Sequence, residues 1–183
     1  MGTGEVCTVQ EIGNGLDECG VGAVCFDVDG RTLEGTCVEY CTGEWPDPVC
    51  EDPDTVCDIP GDVSFGVWCI EVCDPRQSDC GADEICVSVS SSGAFSCGPD
   101  FVGDGAGVAQ PCDFFFSCEP GLACIETPLV PGCMEPGALG CCSSYCTVGD
   151  DSPCLPGQQC VPWFDDEVPH PIHEDLGVCE GPA

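Results

Sequence analysis

Apolar positions in this chain come as short, β-branched runs separated by Gly, Pro, Asp and Ser, and no window sustains the three-to-four-residue period of a helix. The clearest pair is Ala23–Val28 and Arg31–Val38 on either side of Asp29-Gly30, a strong local signal for a β-hairpin. Val56–Ile59 and Val63–Trp68 flank Pro60-Gly61-Asp62, and Ile85–Val89 and Ala94–Ser96 flank Ser90–Gly93, predicting two further hairpins. With 25 glycines and 17 prolines, helix is expected to be minimal, at most a turn near Ala138–Ser144.

Cysteine spacing organises these hairpins. Taken in fours, the cysteines give Cys7-Cys19-Cys25-Cys37, Cys41-Cys50-Cys57-Cys69, Cys73-Cys80-Cys86-Cys97, Cys112-Cys118-Cys124-Cys142 and Cys146-Cys154-Cys160-Cys179. Each block has a long last gap that holds the hairpin. Three residues join blocks at Val38–Tyr40, Ile70–Val72 and Ser143–Tyr145. Cys133 and Cys141 are left over within block four and can pair with each other. The expected fold is therefore small, disulfide-rich and mostly β: about five tandem, cysteine-stapled β-hairpin modules. Gly-rich residues 99–111 form the one long cysteine-free connection between blocks, predicting a lobe of three blocks (1–98), a linker, and a lobe of two (112–183).

Composition explains why staples are needed. Cysteine supplies 22 of 183 residues, and the remaining apolar residues are too scattered for one large core. Fully paired cysteines stabilise such chains at roughly 2–4 kcal/mol per bridge and point to an oxidising, extracellular or periplasmic setting. Zinc is disfavoured because no C-x2-C pair occurs. Thirty-four acidic residues face only Arg31 and Arg76, for a formal charge of −32. That balance excludes nucleic acid, which needs clustered cations, and no apolar run reaches the roughly 18 residues of a membrane-inserting helix. Met1–Glu5 lacks the basic start and apolar middle of an export signal, so the chain is read as a mature product or a piece of a longer precursor.

The four-cysteine layout resembles the first four cysteines of an EGF-like module, without that module's final C-x-C and last cysteine. The resemblance implies first-to-third and second-to-fourth bridges in every block. These are Cys7–Cys25, Cys19–Cys37, Cys41–Cys57, Cys50–Cys69, Cys73–Cys86, Cys80–Cys97, Cys112–Cys124, Cys118–Cys142, Cys146–Cys160 and Cys154–Cys179. Several runs also resemble a family of cysteine-rich secreted proteins predicted in myxobacteria: Pro48–Cys57 (PVCEDPDTVC), Pro111-Cys112-Asp113, Cys118–Cys124 (CEPGLAC), Cys141–Cys146 (CCSSYC), and Cys160–Phe164 with Gly177–Cys179. That likeness spans nearly the whole chain and implies secretion but no activity. Some members carry a pentose-phosphate epimerase name, which does not fit: that enzyme is a (β/α)8 barrel, and this chain cannot build one.

Candidate chemistry is sparse. His170 and His173 share the segment Asp165–Asp175 with five carboxylates, a set that can hold a transition metal; the alternative is an exposed hairpin tip kept extended by its prolines. Asp27 and Asp29, with the acidic turns at Glu51–Asp54, Asp100–Asp104 and Gly149–Asp151, offer the hard oxygen ligands that suit calcium, although none has EF-hand spacing and Asp is a common turn residue. Ser88, Ser90, Ser91, Ser92 and Ser96 lack a neighbouring base and read as a polar turn open to O-glycosylation. Phe114-Phe115-Phe116 cannot all face one side of a strand, leaving at least one ring for a contact with the other lobe or a second subunit. Trp45, Trp68 and Trp163 read as fillers of small local cores. No catalytic constellation emerges. The expectation is a secreted, non-enzymatic structural protein that self-associates into a fibre or surface layer; the alternative is a soluble adhesin, calcium-binding or protease-inhibitor module.

Overall fold

The computed structural model describes residues 2–11, 16–26, 28–44, 48–58, 67–77, 79–81, 84–89, 93–100, 103, 105–114, 116–133, 137–164 and 168–182, at Pro99 by its backbone alone. The protein is mostly β. Its strands are β1 (Val6–Thr8), β2 (Ala23–Phe26), β3 (Glu34–Glu39), β4 (Thr55–Asp58), β5 (Trp68–Glu71), β6 (Glu84–Val89), β7 (Ala94–Pro99), β8 (Pro111–Cys112), β9 (Leu122–Glu126), β10 (Gly140–Thr147), β11 (Gln159–Pro162) and β12 (Leu176–Glu180). Single 3-10 turns lie at Thr127–Leu129 and Pro171–His173.

Met1–Glu71 and Val72–Ala183 form two compact units. In the first, β1, β3 and β2 make an antiparallel sheet, in that order, and β4 pairs with β5. Phe26 lies 5.0 Å from Trp68, ring centre to ring centre, so one aromatic pair joins its two blocks. In the second, β6 pairs with β7, and a five-stranded sheet runs β11-β12-β10-β8 with β9 also on β10. Phe95 of β7 is fully buried against Tyr145, Trp163, Phe164 and His173.

One geometry recurs in all five blocks. The third and fourth cysteines sit directly opposite each other across an antiparallel pair: Cys25 and Cys37, Cys57 and Cys69, Cys86 and Cys97, Cys124 and Cys142, Cys160 and Cys179. They are not bonded to each other. The third instead joins the first cysteine of its block and the fourth joins the second, as in Cys7–Cys25 and Cys19–Cys37. The same order holds for Cys41–Cys57 and Cys50–Cys69, Cys73–Cys86 and Cys80–Cys97, Cys112–Cys124 and Cys118–Cys142, and Cys146–Cys160 and Cys154–Cys179. Cys133 and Cys141 make the eleventh bridge.

The first cysteine flanks the other edge of the strand that carries the fourth, always opposite the residue two positions before it. Cys7 faces Gly35, Cys112 faces Gly140 and Cys146 faces Gly177. In the other two blocks the cysteine N–H donates to the carbonyl at that position, Cys41 to Val67 and Cys73 to Phe95. The first-to-third bridge therefore passes over the central strand. At Gly177 an added Cβ would lie 2.7 Å from Cys160 Sγ and 3.3 Å from Cys146 Sγ, and at Gly140 it would lie 2.8 Å from Cys124 Sγ and 3.2 Å from Cys112 Sγ. Glycine is required there to let the bridge cross, not to supply an unusual backbone angle.

The three-residue joints also acquire a reason. An even separation keeps the fourth cysteine of one block and the first of the next on the same face of a continuing strand. In β10 that continuity is complete: Cys142 pairs toward β9 while Cys146 pairs toward β12.

Two expectations are corrected. Ala138–Ser144 contains no helical turn; from Gly140 the chain is β10, a central strand with partners on both sides. Asp29-Gly30 is not a two-residue hairpin turn, because the strands end at Phe26 and Glu34 and residues 28–33 belong to a wider loop closed by Leu33 N–H to Asp29 O and Asp29 N–H to Glu34 O. The division between units falls at Glu71–Val72, one block before the Gly-rich 99–111 connection. Block three belongs with blocks four and five because Phe95 is the centre of their shared core.

Candidate functional site

Arg76 and His173 define the most heavily interconnected side-chain cluster of the second unit. The Arg76 guanidinium donates from Nε and Nη2 to the two oxygens of Asp74, at 2.8 and 3.0 Å. From Nη1 it reaches Asp175 Oδ1 at 2.8 Å and Thr147 Oγ1 at 3.0 Å, and Nη2 also reaches the Ile172 carbonyl at 3.3 Å. One cation thus ties the start of block three to β10 and to the segment before β12. Burial raises the Asp74 carboxyl, but its hydrogen bonds from Arg76 and Gln77 outweigh this and hold it below the ordinary 3.8.

His173 lies beneath this cluster with 1 % of its surface exposed. Its Nε2–H donates to the Cys73 carbonyl at 2.8 Å, and Phe95 stands 5.3 Å from its ring centre. Its Nδ1 has no hydrogen-bond partner among the described residues. Burial pushes the imidazole below its ordinary 6.5. A buried, neutral imidazole spending one nitrogen on a backbone carbonyl is a structural bolt, with no open path to a reactant. Within residues 168–175 His173 alone is buried: Val168, Pro171, Ile172, Glu174 and Asp175 are exposed, and the single 3-10 turn Pro171–His173 drives His173 into the core. His170 lies 5.9 Å from His173 by ring centres, and the acids 165–167 fall outside the described residues.

The calcium candidates are local turns. Asp29 Oδ1 accepts the N–H groups of Arg31 and Thr32 at 2.7 and 2.9 Å, and these bonds, Thr32 first, lower its carboxyl from the ordinary value. Asp52 accepts from Asp54, Asp100 from Gly103, Asp150 from Ser152, and Asp151 from Cys160. Asp27 lies outside the described residues. Among the described residues, every group of three or more metal-type ligands within bonding reach of one another is built from bridged cysteines, one group adding Asp79. Those thiols are committed to disulfides.

Phe114 is exposed and stacks on Phe116 with ring centres 5.5 Å apart and planes 9° from parallel. The pair can share one side because this segment is a turn, closed by Ser117 N–H to Phe114 O, and not a strand. Phe115 and Trp45 lie outside the described residues. Trp68 and Trp163 pack in the local cores of the first and second units.

Open grooves are shallow. In the first unit one of about 340 Å³ runs between Gly20–Ala23 and Glu39–Thr42, with Glu51 at its rim. In the second, one of about 470 Å³ follows the outer edge of β11 beside Glu180–Pro182. A crevice of about 40 Å³ between block three, Pro120–Leu122 and Trp163 has room only for solvent.

The sequence reading missed two signals that were visible in it. Gly-x-Cys recurs at Gly35, Gly140-Cys141-Cys142 and Gly177-Val178-Cys179, marking where a bridge crosses a strand. Phe95 occupies the equivalent position in block three and becomes the core of the second unit. No local pattern around Arg76 marks it as more than one of the chain's two arginines. With this geometry in hand, comparison with known proteins gives no match: no family model, curated protein or solved structure resembles the chain.

Proposed function

We propose that this chain is an extracellular structural protein, a non-enzymatic subunit that associates with copies of itself into a fibre or surface layer. The chain is a small, disulfide-rich β protein of the kind that matures in an oxidising or extracellular compartment. The carrying observation is that durability is built into every block in the same way, one bridge crossing the central strand and a second beside it. Covalent closure at each hairpin suits a protein that must keep its shape outside the cell, and lysine is absent altogether.

Cation screening fits the same reading. At −32, copies repel until salt or divalent ions shorten the range of that field to about 8 Å at physiological ionic strength. Ser88, exposed on β6, offers a hydroxyl for O-linked sugar, whereas Ser96 is buried and Ser90–Ser92 lie outside the described residues. Negative-stain microscopy of the oxidised chain, concentrated with calcium present, tests the proposal: filaments or sheets support it, and dispersed single particles contradict it.

A further inference from the structure

The first unit presents an exposed arginine at one end of one small sheet and a groove with two carboxylates at the other. At one end, beyond the Phe26–Thr36 pair, the β2–β3 loop presents Arg31, which is exposed. Asp29 fixes that loop by accepting from the Arg31 and Thr32 N–H groups, so the side chain stands on a held backbone. Its guanidinium has no ion pair among the described residues, whereas Arg76, the chain's other cation, is fully engaged by Asp74 and Asp175. Among the described residues, Arg31 is the cation without an ion pair.

At the other end, around the Ala23–Glu39 pair, lies the groove of about 340 Å³. Val21 is wholly exposed on its wall and Tyr40 is 41 % exposed. Glu39 and Glu51 supply carboxylates, and Glu39 is steadied by a 2.7 Å hydrogen bond from Thr3. An aromatic face, an apolar wall and two carboxylates are what a guanidinium and its methylene stem need: cation–π contact, packing and charge pairing together.

We propose that the Arg31 loop of one copy seats in the Val21–Tyr40 groove of the next, forming a head-to-tail link. The occupant is a second copy because the groove's complement, an exposed Arg on a loop whose backbone is held, is present on the chain itself at the opposite end of the same sheet. Unlike patches on one chain join head to tail, giving open chains or rings and not a two-fold dimer. The inference rests on the self-association proposed above and specifies its contact. One such link is small beside a standard interface, so each junction is weak and assembly steepens with concentration.

The test uses the full oxidised chain and three variants: Arg31→Glu, which removes the knob; Tyr40→Ala with Glu51→Arg, which spoils the groove; and Val148→Asp, an exposed change remote in sequence from both. Folding is checked by disulfide mapping and Tm. Sedimentation velocity is expected to show each of the first two raising the half-assembly concentration at least about tenfold, roughly 1.4 kcal/mol, with the third unchanged. Mixing knob-less with groove-less chains should give 1:1 pairs that grow no further. Assembly of Arg31→Glu as efficient as the parent overturns this contact and leaves self-association standing. A parent chain that stays monomeric at every concentration overturns both.

Discussion

His173 donates its Nε2–H to the carbonyl of Cys73, 2.8 Å away and 100 residues earlier in the chain. This bond holds the first cysteine of block three against the segment leading to the last strand, inside a core whose other members are Phe95 and Leu176. The facing groups are Asp74, Arg76 and His170, with the second nitrogen unsatisfied among the described residues.

Acid should therefore loosen the second unit in two steps. Burial lowers the affinity of His173 for a proton, so as pH falls below its ordinary 6.5 the unfolded chain takes up the proton first and stability begins to drop. Above 6.5 the full contribution is present. Asp74, lowered from 3.8, adds a second loss only below that value. Calorimetry between pH 8 and 5 should show Tm falling in the parent and a flatter profile in His173→Gln, which keeps a donor at the Nε2 position without titrating. Parallel profiles would assign the pH dependence elsewhere.

Gly140→Ala and Gly177→Ala should each cost about 1–3 kcal/mol, because the new methyl meets a carbonyl at 2.6 or 2.5 Å and a bridge sulfur just beyond. Gly107→Ala, with nothing nearer than 3.7 Å, is the control and should change little. Denaturant unfolding with disulfides intact measures all three. The two core variants should also refold with a lower yield of correctly paired chain.

Replacing Arg76 by Met removes the cation while keeping much of the stem. It strands Asp74, which is 7 % exposed, and should cost about 2 kcal/mol. Arg76→Lys should recover only part of this, since an ammonium cannot serve Asp74 through two nitrogens while also reaching Asp175. Hydrogen exchange in β7 and β12 locates the loss.

Among the bridges, Cys133–Cys141 closes the shortest span, 8 residues, and Cys154–Cys179 the longest, 25. Chain entropy makes removal of the short one, by paired Cys→Ala changes, about 1 kcal/mol less damaging than removal of the long one. Comparing the two double variants by thermal unfolding checks this ordering.

The block architecture was legible because cysteine spacing and turn residues both mark the same hairpins. Asp29-Gly30 located its hairpin correctly yet misjudged the turn, since Asp29 closes a wider loop with its own carboxylate. The boundary between units was not legible. A Gly-rich stretch signals a flexible connection, but Phe95 and Arg76 act through partners such as Tyr145 and Asp175, far along the chain, which no local pattern reveals. His173 was misplaced for a similar reason: in sequence its prolines and acids read as solvent-facing, while the 3-10 turn delivers it to the core.

The stapled blocks are proposed to form a self-associating extracellular subunit. Sedimentation velocity on the oxidised chain over a wide concentration range, at near-physiological salt with and without calcium, tests it most directly. The weight-average sedimentation coefficient should rise continuously with concentration. One unchanging monomer boundary throughout would contradict it.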